Sequence, residues 1–364
     1  MRQTPLHDWH VAHKACMTDF NGWHMPLYYS GMTEEHNITR TSTGLFDLGH
    51  MGRVMVRGVG ARSFLDNLTP AQLSKAKPGD VQYSFLLAET GCPIDDITIY
   101  TMSHTEYMLV VNAGNHDRAV AWIEKQAAHF GAVEIEDRSY SWGMIAVQGP
   151  EAEKVFRTVV GDSFPALSYY TFAMREDDGR WPTCIISATG YTGERGYEIY
   201  MPISGMEAVW TSLFDAGAKP IGLGARDSLR LEAAMPLYGH ELTDATTPLA
   251  AGLGKFLDLE KGDFIGRAAL LAQKEAGGPA RKLIGFELTQ RGPIARQGFD
   301  VCNSDGMKVG SVTSGIFSPT LQKTIGMAYI DAASAAVGSS LTVDIRGRKL
   351  PCIVVKKPFY KRSA

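Results

Sequence analysis

The residues best suited to chemistry are two adjacent carboxylates in an apolar stretch, Gly91-Cys92-Pro93-Ile94-Asp95-Asp96-Ile97-Thr98-Ile99-Tyr100. Side chains alternate between the faces of a strand, so Asp95 and Asp96 point opposite ways, and one looks inward if the isoleucines are half-buried. An inward carboxylate is costly unless it is paired, hydrogen-bonded or committed to a ligand. Three more segments join functional groups to glycines: Asp47-Leu48-Gly49-His50-Met51-Gly52, Thr189 to Tyr200, and Gly222 to Glu232. In the second, Gly190, Gly193 and Gly196 permit a tight loop, after which Glu198 stands on an otherwise apolar strand. Taken singly, these residues have plainer readings: a turn-flanking Asp pair, a Glu ending a surface strand, an Arg226 that caps a helix or forms an ion pair.

The elements that must position these groups alternate irregularly, which predicts an α+β chain without a regular βαβ rhythm. Val54 to Gly58 reads as a strand running into a turn, Ala61 to Leu68 as an amphipathic helix, Tyr107 to Val111 as a strand and Asn115 to Ala128 as a helix. Met144 to Pro150 is a strand stopped by Gly-Pro, followed by helices at Glu151 to Val159 and Gly205 to Ala216. Lys274 to Arg281 interrupts all apolar periodicity and is the linker candidate. Beyond it, short strands at Leu283–Leu288, Val309–Thr313, Ile325–Ile330, Leu341–Ile345 and Cys352–Val355 predict a small antiparallel barrel or sandwich.

Composition narrows the function classes. With 364 residues, 45% hydrophobic and 21% charged, the chain is an ordinary globular protein of two or three domains. A formal net charge of −3 without a basic run gives no reason to expect nucleic acid. The five cysteines lack CxxC spacing, so reduced cytosolic thiols are expected. No apolar run approaches the roughly 18 residues of a membrane span, and the amino terminus shows no targeting signal. A cytoplasmic protein with small molecules or proteins as partners is the resulting expectation.

At this point the chain resembles the glycine cleavage system T-proteins, the aminomethyltransferases. The blocks that carry the resemblance are Thr4-Pro5-Leu6, Asp19-Phe20-Asn21-Gly22-Trp23, the Asp pair, Gly190-Tyr191-Thr192-Gly193-Glu194 and Ala225 to Ala233. Ser314 to Leu321 and Lys357-Pro358-Phe359-Tyr360 complete the set, so the likeness covers essentially the whole chain.

The resemblance implies a three-domain cloverleaf around a central folate pocket, with a C-terminal antiparallel β-barrel-like domain. Its expected division is 1–273 as two lobes, about 1–52 with 140–245 and about 53–139 with 246–273, then a linker at 274–281 and a β-domain at 282–364. The implied reaction moves the methylene unit of an aminomethyl group, carried on the lipoyl arm of H-protein, to tetrahydrofolate and releases ammonia. By the same match Asp95 is the catalytic carboxylate, Glu198 and Arg226 bind the pterin, and Met51, Tyr83, Asn112 and Tyr191 line the pocket. Asp96, on the other face, is expected to be a structural partner. No metal is implied, and a monomer or weak dimer is expected. The rival readings are a tetrahydrofolate-dependent demethylase of a small methylated donor and a folate-binding scaffold without turnover.

This chemistry is reasonable on its own terms. A pterin presents adjacent N–H donors that a planar carboxylate such as Glu198 can accept. Loss of ammonia from an aminomethyl thioether leaves a cationic iminium-like fragment, which a preplaced carboxylate stabilises.

The other polar residues are expected to be scaffold. Arg230 and Glu232 suggest a solvated, salt-bridged helix face, and His7, His10 and His13 an ordinary polar face. His50 adjoins the pocket block and reads as a hydrogen-bonded structural histidine or a ligand contact. Lys356 and Lys357 offer cations to a folate glutamate tail or an acidic carrier, and the last domain is expected to close the pocket. The chain departs from the family at Gly49, Cys92-Pro93, Lys255 and Gln322, the last standing where glycine is usual.

Overall fold

The computed structural model describes residues 1–362, which fall into two compact units, Met1–Phe85 with Asp96–Asp227 and Leu86–Asp95 with the described residues from Ser228 onward. The first unit contains a six-stranded sheet in the order Phe172–Arg175, Cys184–Ser187, Gly196–Pro202, Trp142–Gln148, Gly44–Asp47, Lys219–Pro220. Helices Ala152–Val160 and Ile203–Asp215 belong with it. Their buried residues, Ala152, Val155, Phe156 and Val160 on one and Met206, Val209, Trp210 and Leu213 on the other, recur at the three-to-four spacing of a single helix face.

The two-residue period of the strands decides where the functional groups go. Tyr197, Ile199 and Met201 enter the core with Ile145, Val147, Ile186 and Trp210. Glu198 and Tyr200 must therefore project from the opposite face, and Ser187, the register partner of Glu198, goes with them.

A second sheet runs Val81–Leu87, Pro93–Ser103, Glu106–Val111, Gly52–Arg57, Glu134–Asp137. Helices Ala61–Leu68 and His116–Ala127 fill the spans expected of them, each with a buried stripe. Along Pro93–Ser103 the odd residues Asp95, Ile97 and Ile99 are buried, while Asp96 and Thr98 are only partly so.

In the second unit, Arg281–Leu288, Lys323–Asp331, Lys308–Ser318, Asp300–Cys302, Ser340–Ile345 and Arg348–Val355 form a closed antiparallel barrel. The sequence pattern predicts five of these strands and misses the three-residue Asp300–Cys302. The expected linker is partly helical, since Arg267–Glu275 is a helix and only the following residues, with Gly277 and Gly278 at positive φ, break the pattern. Gln322 sits at φ 55, the left-handed turn conformation that makes glycine the usual residue there.

Arg230 and Glu232 are not on a solvated face. Both are buried: Arg230 pairs with Glu241 at 2.8 Å, and Glu232 accepts from the Ser318 and Thr320 hydroxyls. Surface helix statistics fail here because the barrel's hydroxyls supply partners that local sequence does not reveal. Lys357 is likewise occupied, donating to the Leu283 carbonyl at 2.9 Å, and burial pulls its ammonium down to about 8. Among the described residues no helix is long and apolar enough to cross a membrane.

Candidate functional site

Glu198 is buried on the second face of the six-stranded sheet, and burial pushes its carboxyl above the usual value. The Thr189 hydroxyl donates to its Oε2, and the Tyr200 hydroxyl reaches the same oxygen at 3.4 Å. The Arg226 guanidinium acts on Glu198 as a nearby positive charge and lies 4.7 Å from the centre of the Tyr191 ring. The loop bearing Tyr191 can form because Gly193 takes φ 82 and because a Cβ on Gly190 would lie 2.0 Å from Gln148 Oε1. Gln148 and Thr192 are joined by a 2.9 Å hydrogen bond.

A second carboxylate in the same unit is Asp96. Tyr83 donates its hydroxyl to Asp96 Oδ2 at 2.9 Å, and Asn112 Nδ2 donates to Oδ1 at 2.9 Å and to the Asp96 carbonyl at 3.0 Å. Burial dominates these bonds and pushes the Asp96 carboxyl up to about 6. Tyr170 lies within electrostatic reach of both Asp96 and Glu198. It holds φ 64 while its carbonyl accepts from Val81 N–H and its N–H donates to the Ala188 carbonyl, so both sheets' strand ends fix its position.

The Gly49–Met51 segment is pinned by Arg53, which is buried and donates to the carbonyls of Gly49, Met51, Ser139 and Trp142. His50 is buried with Nδ1 lacking a hydrogen bond, and burial together with Arg226 pulls it down to about 3. It is therefore neutral at physiological pH. His10 is not on an open polar face but buried, bonded to Asp47 at 2.8 Å and to the Tyr29 hydroxyl at 2.8 Å. Local helical spacing alone cannot reveal that distant Asp47.

Two family descriptions fit this architecture. Residues 6–261 match the GCVT N-terminal domain, and residues 281–361 match the glycine cleavage T-protein C-terminal barrel domain. The chain belongs to the glycine cleavage T-protein family. Among its relatives are the aminomethyltransferase of Desulfitobacterium hafniense, 43% identical over 100% of this chain and 99% of the relative, and that of Symbiobacterium thermophilum, 44% identical over 99% and 98%. The crystal structure of glycine cleavage system aminomethyltransferase T from Bartonella henselae superposes with a TM-score of 0.92 at 33% identity, covering 99% of this chain and 98% of that one.

The site residues expected of this T-protein family member divide into two groups. Tyr83 and Asn112 meet at Asp96, whereas Tyr191 and Arg226 meet beside Glu198. Met51 is half-buried in the segment that precedes Arg53. Asp95 is fully buried on the strand face opposite Asp96, and Asp96 accepts from Tyr83 and Asn112. Sequence reasoning passes over Tyr100, Ser187, Thr189 and Tyr200, which surround Glu198. The available signal was their alternation with apolar residues on strands adjoining the Glu198 strand.

Proposed function

We propose that this protein transfers the methylene unit of an aminomethyl group, carried on the lipoyl arm of H-protein, to tetrahydrofolate. Ammonia is released and 5,10-methylenetetrahydrofolate is formed. The observation that carries this reading is the presence in one unit of two carboxylates held by protein donors, Asp96 by Tyr83 and Asn112 and Glu198 by Thr189 and Tyr200, with Arg226 beside the second. Its chemical support is the donor set. Glu198 accepts from the pterin's N–H groups, Arg226 donates to the pterin carbonyl, and Tyr191 buttresses the guanidinium. Met51, Tyr83 and Asn112 complete the lining.

Tetrahydrofolate supplies the two nitrogen nucleophiles. In the net transfer the C–N and C–S bonds of the aminomethyl thioether break and two C–N bonds form, while the two folate N–H protons leave with the ammonia and the thiol. Asp96 takes the catalytic role that the resemblance alone would give to Asp95. As a carboxylate held by Tyr83 and Asn112, it stabilises the positive charge developing on the methylene carbon. With its carboxyl near 6, it is also suited to accept a proton close to neutral pH. Asp95 is buried on the other face of the same strand.

The test is to mix the purified protein with tetrahydrofolate and lipoylated H-protein carrying the aminomethyl group, and to follow ammonia and methylenetetrahydrofolate. Release of both in equal amounts supports the reading. Folate binding without ammonia release would replace it with a scaffold role.

A further inference from the structure

Four hydroxyl groups meet behind Glu198, and all four residues are buried. Ser187 Oγ and Thr189 Oγ1 are 2.7 Å apart, and Thr189 donates to Glu198 Oε2. Tyr100 Oη and Tyr200 Oη are also 2.7 Å apart, and Tyr200 points at the same Oε2 from 3.4 Å. A cross-link of 3.1 Å joins Tyr100 to Ser187. The hydroxyl protons can therefore run in two short chains, Ser187 to Thr189 to Oε2 and Tyr100 to Tyr200 to Oε2. Such an order leaves Oε2 able only to accept, because a proton on Oε2 would face the hydroxyl donors head-on, and a proton on Oε1 would in turn oppose the N–H donors of a bound pterin.

We propose that Ser187–Thr189 and Tyr100–Tyr200 are positioning residues that keep Glu198 a carboxylate and commit Oε2 to the protein, presenting Oε1 to the N–H donors of the pterin. The proposal rests on the reading of Glu198 as the pterin anchor. An ionised carboxylate has about four acceptor positions, so saturating one oxygen from behind leaves the remainder directed at the ligand. Burial opposes the charge on Glu198, and the Thr189 bond, Arg226 and Tyr200 offset part of that opposition. The titratable and charged groups facing Glu198 are Tyr100 on Pro93–Ser103, Tyr200 on its own strand, Tyr170 before Phe172–Arg175 and Arg226 on the Leu223–Glu232 helix. Arg53 faces Tyr200 in turn. Arg226 alone contributes charge from outside the chains, while the hydroxyls supply direction.

The experiment measures binding of a stable reduced folate, 5-formyltetrahydrofolate, to the full chain from pH 5 to pH 8.5, alongside thermal unfolding. The variants are Thr189→Val, Tyr200→Phe, Tyr100→Phe and Glu198→Gln. In Thr189→Val the acid midpoint of binding should rise by about one pH unit, with affinity at pH 7 reduced on the order of tenfold. Thr189→Ser should restore both. Tyr100→Phe, which removes only the remote hydroxyl and keeps the ring, should move the midpoint in the same direction by less. A lower unfolding temperature with an unmoved midpoint in these variants would overturn the proposal by making the hydroxyls purely structural. Wild-type affinity in Glu198→Gln would instead overturn the anchor reading itself.

Discussion

Replacing Asp96 with Asn removes a charge while keeping the side chain's size, with its oxygen able to accept from Asn112 and its amide able to donate to the Tyr83 hydroxyl. If Asp96 stabilises the developing cation, the loss should be on the order of 100- to 1,000-fold in turnover, the usual effect of deleting one preplaced electrostatic group. The structure adds a pH dependence. With the carboxyl near 6, about 90% of the free protein carries the charge at pH 7 and about 10% at pH 5. The wild-type kcat/KM should therefore fall roughly tenfold between those values, and Asp96→Asn should lack that acid limb. The sign for stability runs the other way. A carboxyl raised above its unfolded value contributes its stability below the unfolded value near 3.8 and loses it as the pH rises through about 6. At pH 7 the charged group therefore weakens the fold, and Asp96→Asn should not lower the unfolding temperature. Methylenetetrahydrofolate formation, measured from pH 5 to pH 8 beside thermal unfolding, checks both. Asp95→Asn is the control, expected to act on stability while leaving the turnover of folded protein largely intact. Near-native turnover in Asp96→Asn, with the large loss appearing instead in folded Asp95→Asn, would refute the reasoning and return the catalytic role to the first carboxylate.

Arg226→Lys keeps the charge but loses the planar fork and its place by the Tyr191 ring, so reduced-folate affinity should fall on the order of tenfold by calorimetry. Glu241→Gln removes the carboxylate that pairs with the buried Arg230 guanidinium at 2.8 Å and should cost about 3–5 kcal/mol in denaturant unfolding. Gln322→Gly relieves a left-handed backbone at an exposed turn and should stabilise the protein by about 1 kcal/mol or less, after the added freedom of glycine in the unfolded chain is offset. A destabilising Gln322→Gly would mean that the Gln322 side-chain bond to the Pro319 carbonyl outweighs the backbone strain.

What the sequence determined was periodicity and residue type. Apolar alternation placed the strands around Glu198 and the Asp pair, the apolar face of Ala61–Leu68 placed that helix, a helix was expected at Gly205 to Ala216 where Ile203–Asp215 forms, and the turn-punctuated texture after residue 281 implied the barrel. Ordered motifs spanning the chain carried the family and, through it, most of the residues of the candidate site. Partnership was not legible, because it joins residues far apart in sequence. The alternation rule says that Asp95 and Asp96 face opposite ways but not which one faces Tyr83 and Asn112; only the packed strand decides that it is Asp96. Arg230 and Glu232 read as a wet helix face until Glu241, Ser318 and Thr320 are brought against them. Likewise Tyr100, Ser187, Thr189 and Tyr200 look like ordinary strand residues in the sequence. They become a single hydroxyl cluster only where strand register sets Ser187 opposite Glu198, since register is fixed by the pairing of whole strands and not by any residue alone.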